Sequence, residues 1–280
     1  MSGRPFAQVD VFSAQSCRGN PLAVVLDGTG LDEATMQRFA RWTQLSETTF
    51  VTPPSDLGAD YALRIFTPGG ELPFAGHPTL GSCHAWLESG GRPRDAHEIV
   101  QQCAVGRVRI RRTEGGRLAF AAPPLTRGPV EAELLARVVA ALGADPARMR
   151  GAQWLDNGPR WLTLLLADAA DVLALEPDHA ALRLLPKVGV AAPHAPGAEC
   201  AFEVRAFAAS IGIAEDPVTG SLNASLAQWL IADGLAPNAY VAAQGTRLER
   251  AGRVHVLQKD GVTWIGGASR SLVRGTVTLP

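Results

Sequence analysis

The tetrapeptide Leu63-Arg64-Ile65-Phe66 returns as Val204-Arg205-Ala206-Phe207, 141 residues later in a chain of 280. Behind each copy comes a loop and then a glycine, in Ala75-Gly76-His77 and in Thr219-Gly220-Ser221, followed by a run with helical spacing. A weaker echo lies upstream. Gln8-Val9-Asp10 leads to Gly19-Asn20-Pro21 and the apolar run Leu22 to Leu26, while Gln153-Trp154-Leu155 leads to Asn157-Gly158-Pro159 and Trp161 to Leu166. A shared order of strand, loop, glycine and helix points to a fold built twice. The Pro- and Gly-containing stretch Pro123 to Pro129 is the natural joint, so the halves are expected at residues 1–126 and 127–280. Domain interfaces are common ligand sites, and a cleft between the halves is expected to hold this one.

Short β-rich runs dominate: Ala7 to Phe12, Leu22 to Leu26, Tyr61 to Phe66, Arg107 to Arg112 and Val254 to Gln258. Helical patterns cover Asp32 to Trp42, Pro78 to Ser89, Glu131 to Leu142 and Ser221 to Asp233. Asp32 suits an N-cap, and Gly143 and Gly234 suit helix ends. The class is α+β, with few helices among many strands.

With 26 basic and 27 acidic residues, the chain has no global field for nucleic acid or an anionic membrane surface. A small-molecule partner is expected by elimination. Cys17, Cys83, Cys103 and Cys200 form neither a close pair nor a crowded disulfide pattern, so reduced thiols in a cytoplasm are expected. No apolar run has the length of a signal peptide or of a membrane span.

Chemistry is concentrated at a few positions. The glycine-led helix starts, Gly76-His77 and Gly220-Ser221, each offer backbone N–H groups without intrahelical partners and the positive end of a helix dipole, which suits a carboxylate or enolate. Ordinary helix capping accounts for the same residues. Pro78 is expected at the first helical position. Glu47 lies in Gln44-Leu45-Ser46-Glu47-Thr48-Thr49-Phe50-Val51, a β-branched and apolar stretch expected to be partly buried. Desolvation raises the proton affinity of a carboxyl group, which suits a base that takes a proton from carbon. A surface or capping role fits Glu47 locally as well. Asp216 precedes Pro217, which keeps it extended; an Asp that accepts backbone N–H bonds in a turn is the alternative. For His77 the alternative is a structural imidazole.

Taken together, Gly19-Asn20-Pro21-Leu22-Ala23-Val24, Leu45 to Val51, Arg64 to Pro68, Glu71 to Thr79 and Glu215 to Ser221 resemble, in order and spacing, the motifs of the phenazine-biosynthesis PhzF-like isomerase family. Gln244-Gly245 resembles a later glutamine-glycine element of that family. The resemblance implies a diaminopimelate epimerase-like fold: two pseudo-repeated halves, each a curved sheet or barrel around a central helix, with the site in the cleft between them. It also implies isomerase chemistry on a small carboxylate-bearing substrate without cofactor or metal, and a homodimer. By motif, Glu47 becomes the acid/base. His77, Asp216 and Asn20 become substrate-binding groups, and Gly76, Gly220 and Ser221 anion contacts. The segment Ala208-Ala209-Ser210 departs from the family's usual proline-containing stretch.

Two rival readings remain. A two-thiol epimerase or racemase of the same fold needs cysteines at the helix starts, where this chain has Ala75 and Thr219. A non-catalytic small-molecule binder could keep the same cleft. The six histidines form no metal-ligand motif, and neither a phosphate-binding glycine loop nor a G-x-S-x-G elbow occurs.

Overall fold

The structure, a computed structural model, describes residues 3–280. The chain forms two compact units, one of residues up to Ala121 together with Gly266–Pro280, the other of Ala122–Ile265.

Unit 1 begins with β1 (Gly3–Val11), β2 (Asn20–Val25), α1 (Glu33–Thr43), β3 (Thr48–Thr52) and β4 (Tyr61–Thr67). It continues through the short β5 (Gly70–Leu72), α2 (Gly76–Glu88), β6 (Glu98–Cys103), β7 (Gly106–Arg112) and β8 (Leu118–Ala121). Unit 2 contains β9 (Thr126–Gly128), α3 (Ala132–Leu142), β10 (Met149–Asp156), β11 (Arg160–Leu166), α4 (Ala169–Ala174), α5 (His179–Leu182), β12 (Val188–Pro193) and β13 (Phe202–Phe207). It continues through α6 (Gly220–Ala232), β14 (Ala239–Gln244) and β15 (Gly252–Lys259) to β16 (Val262–Gly267), which spans the unit boundary in sequence.

The duplication read from the sequence is present in the pairing itself. In unit 1, β1 lies antiparallel to β2, β2 parallel to β3, β3 antiparallel to β4, β4 parallel to β6, and β6 antiparallel to β7. Unit 2 repeats that series with β10, β11, β12, β13, β14 and β15. The register agrees as well: Arg64 pairs with Phe50 and Phe66 with Thr48, while Arg205 pairs with Val190 and Phe207 with Val188. The upstream echo is looser. Pro21 pairs with Asp10 across a long connection, whereas Arg160 pairs with Asp156 across three residues.

Each unit has one nearly all-buried helix. Gly76 to Cys83 of α2 are buried, as are Gly220 to Ala227 of α6, which is why neither helix shows a strong apolar stripe. A Cβ on Gly81 would lie 2.6 Å from Leu22 Cδ2 and 2.8 Å from Val11 Cγ2, so glycine lets α2 approach β1 and β2. Helix α1 follows its Asp32 cap, whose side chain accepts the Thr35 N–H at 2.7 Å. It buries Met36, Phe39 and Ala40 with Val25, Phe50 and Phe66. Full burial of such a side chain stabilises by about 1.5–3 kcal/mol. In unit 2, α3, α4 and α5 cover β10 to β13 through Val138, Leu142, Val172, Leu182, Val190 and Phe207.

Two expectations need correction, and two short helices join those expected. The last strand, β17 (Ser269–Thr278), pairs antiparallel with β1 from Gly3↔Thr278 to Val11↔Ser269. The chain's end therefore completes unit 1, and the expected halves 1–126 and 127–280 give way to a boundary at 121/122 with 266–280 returned to the first unit. Pro78 stands third in α2, not first. Its missing N–H is harmless there too, because the first four N–H groups of a helix have no intrahelical acceptor. Finally, α4 and α5 were not expected; at six and four residues they are too short to show a period, although Asp168 and Asp178 cap them.

Candidate active site

In unit 1 the expected residues converge at the start of α2. Glu47 immediately precedes β3, and its parallel pairing with β2 brings this end of the sheet beside Asn20, the first residue of β2. His77 is the second residue of α2. Its Nε2 lies 3.5 Å from Glu47 Oε2, with side-chain exposures of 4% and 12%. Asn20 Nδ2 lies 3.3 Å from His77 Nδ1, and Ser46 Oγ lies 3.5 Å from Asn20 Oδ1.

The electrostatics assign the ring's state. Burial pushes the His77 imidazole down to about 3, so it is neutral at physiological pH. An amide Nδ2 is a donor only, so His77 Nδ1 accepts from Asn20 and the ring proton sits on Nε2. Nε2 and Glu47 Oε2 are near neighbours that do not close a hydrogen bond with each other. The neutral His77 ring therefore forms no ion pair with Glu47.

The connection before Asn20 is itself fixed. Buried Asp10 accepts the backbone N–H groups of Arg18 at 3.0 Å and of Gly19 at 3.0 Å. A Cβ on Gly19 would sit 2.2 Å from Val11 O. The close approach of this turn to β1 therefore requires glycine, and Asn20 is held at the mouth of β2.

Unit 2 assembles the remaining expected residues at the start of α6. Asp216 precedes the helix by four residues, and its Oδ2 accepts from Thr219 Oγ1 at 2.6 Å. The turn role set out as the alternative for Asp216 calls for backbone N–H donors, whereas this donor is a side-chain hydroxyl. Ser221, second in α6, is buried, and its Oγ accepts from Trp161 Nε1 at 3.3 Å. Because indole only donates, the Ser221 hydroxyl keeps its own proton to donate. Gly220 opens the helix. The positions Ala75 and Thr219 are the helix N-caps, and Cys83 lies buried in α2 with its thiol pushed up to about 12. No thiolate base stands at either helix start.

Gln244 was noted only as part of a motif, and the structure gives it a role. It is buried; its Nε2 donates to Asp216 O at 3.0 Å and Thr219 Oγ1 at 2.9 Å. Its Oε1 accepts from Thr219 N at 3.0 Å and Asn223 Nδ2 at 2.8 Å. One amide therefore clamps the Asp216 turn to the first turn of α6. The signal for it was the isolated Gln before Gly245 at the end of an apolar strand.

Paired units with one series of strand pairings, each holding a buried helix that starts with glycine, define the diaminopimelate epimerase-like α+β class. A family model described as phenazine biosynthesis-like protein, PhzC-PhzF, matches residues 9–278, and the chain belongs to that family. It is 35% identical to antisense-enhancing sequence 1 of Schizosaccharomyces pombe, over 98% of this chain and 99% of that one. It is 34% identical to the trans-2,3-dihydro-3-hydroxyanthranilate isomerase of Pseudomonas fluorescens, over 81% of this chain and 79% of that one. The crystal structure of the Bacillus anthracis phenazine biosynthesis protein of the PhzF family superposes with a TM-score of 0.84 at 21% identity, covering 99% of this chain and 100% of that one. Relatives named as isomerases put this chain among the isomerases.

Proposed function

We propose that the protein isomerises a small carboxylate-bearing substrate, a cyclic or acyclic amino or hydroxy acid, by moving a proton with Glu47 as the acid/base. The observation that carries this reading is the Glu47 carboxyl group, 12% exposed and 3.5 Å from the Nε2 of a neutral His77. A carboxylate largely shielded from water is a stronger base toward carbon than a hydrated one. A single carboxyl group takes the proton and returns it on the same face of the substrate. Asn20 orients His77, and Asp216, Gly76, Gly220 and Ser221 hold the substrate. N–H groups at a helix start stabilise the negative charge that develops when the C–H bond breaks. The Pseudomonas relative makes trans-2,3-dihydro-3-hydroxyanthranilate the first compound to try.

The test is exchange of substrate C–H with solvent. Cyclic and acyclic amino and hydroxy acids, that compound and anthranilate are incubated with the protein in heavy water. Deuterium is expected at carbon in at least one carboxylate that binds. Binding without any exchange or isomerisation favours the non-catalytic binder and refutes the enzyme reading. The family resemblance also supports a cytoplasmic homodimer, for which light scattering is expected to give twice the 29.5 kDa chain mass.

A further inference from the structure

The repeat assigns a counterpart to Glu47. Thr48 pairs with Phe66 at the first step of β3, and Val188 pairs with Phe207 at the first step of β12. The residue before Thr48 is Glu47, and the residue before Val188 is Lys187. Duplication has thus left opposite charges at one structural position. The surroundings correspond too. Glu47 faces the second residue of α2, His77. Lys187 Nζ sits 4.8 Å from the Trp161 ring centroid, and that indole donates to the second residue of α6, Ser221. An ammonium group over an indole face is attracted by the ring's quadrupole.

A second observation marks the same place. Asn157 is buried and donates through Nδ2 to Ser221 O at 3.1 Å, while its Oδ1 is buried and has no hydrogen-bond partner. A buried amide oxygen without a partner in the protein is satisfied by water or by a ligand. The start of α6 therefore carries a cation, a hydroxyl with its proton available, helix N–H groups and one unsatisfied acceptor. That set matches a carboxylate flanked by an amino or hydroxyl donor.

We propose that Lys187 is a substrate-binding residue whose ammonium group anchors the substrate carboxylate, with Asn157 Oδ1 accepting from the neighbouring amino or hydroxyl group. This rests on the carboxylate substrate proposed above.

Anthranilate, which carries adjacent carboxylate and amino groups, is the probe, and anthranilamide is its uncharged control. Titration calorimetry is expected to show Lys187→Met weakening anthranilate at least tenfold and anthranilamide less than twofold, with Lys187→Arg within threefold of the parent. In the parent, saturating anthranilate is expected to slow reductive methylation of Lys187 several-fold, read by peptide mass, and to leave Lys259, the chain's other lysine, unchanged. Unaltered anthranilate affinity in Lys187→Met overturns the assignment. So does an unprotected Lys187 in a parent protein that binds anthranilate, a readout that survives if the variant fails to fold; in both cases the Glu47 reading stands. Failure of the parent to bind any carboxylate tried in the exchange experiment removes the carboxylate substrate and this assignment together.

Discussion

Two equivalent ion pairs in the two units should differ severalfold in their contribution to stability. Arg64 pairs with Glu71 and Arg205 with Glu215, and each glutamate stands five residues before the first glycine of its central helix. In unit 2 the Arg205 and Glu215 side chains are only 4% and 6% exposed. Arg205 Nε and Nη2 donate to the two carboxylate oxygens at 2.9 and 2.8 Å, and Nη1 donates to Val172 O and Leu175 O. Glu215→Gln leaves a buried guanidinium without its counter-charge, which costs about 3–5 kcal/mol. In unit 1 both side chains are 33% exposed, and Arg64 has a second carboxylate, Glu33, at 3.1 Å. Solvent screening and that substitute partner limit Glu71→Gln to about 0–1 kcal/mol. At roughly 2–4 °C per kcal/mol for a chain of this size class, Glu215→Gln should lower Tm by about 6–20 °C and Glu71→Gln by less than about 4 °C. Calorimetry on the two single variants measures both. Equal shifts would refute the argument that burial, and not the shared motif, sets the strength of the pair.

Two further outcomes follow from the site. Between about pH 6.5 and 3 the unfolded chain binds one more proton at His77 than the folded chain does, because burial lowers the folded value to about 3. Stability should therefore fall as pH falls through that window, by up to about 1.4 kcal/mol per pH unit from this group. His77→Gln should flatten the urea-midpoint profile there, and an unchanged slope would contradict the neutral assignment. Gln244→Leu strands the Thr219 N–H, at about 1–3 kcal/mol, while Asn223 Nδ2 keeps its bond to Thr219 O. Urea unfolding should show a loss of about 1–3 kcal/mol, with KM for the exchange substrate raised as the Asp216 turn loosens; an unchanged midpoint would contradict the clamp.

The duplication was legible because the Arg-x-Phe strands and the glycine-led helices are tied to register: a strand that slips by one residue turns its apolar face to solvent. The site residues of unit 1 were legible as motifs but not as a geometry. Nothing in the sequence places Glu47 against His77, since that contact depends on the parallel β2–β3 pairing. The return of β17 to β1 was invisible because Ser269 to Thr278 carries mostly polar, exposed positions with no apolar face to name a partner. Lys187 was overlooked for a related reason. Its sign is opposite to that of Glu47, and only the paired registers of β3 and β12 reveal the equivalence.

The proton-transfer role of Glu47 is tested most directly by the Glu47→Gln variant. The initial rate of deuterium incorporation is measured for a compound that the parent protein exchanges, alongside the dissociation constant. The account predicts a rate lower by roughly 10²–10⁴-fold with affinity within a few-fold of the parent, because the amide keeps the shape and loses the base. A variant that exchanges at more than about a tenth of the parental rate would show that another group moves the proton.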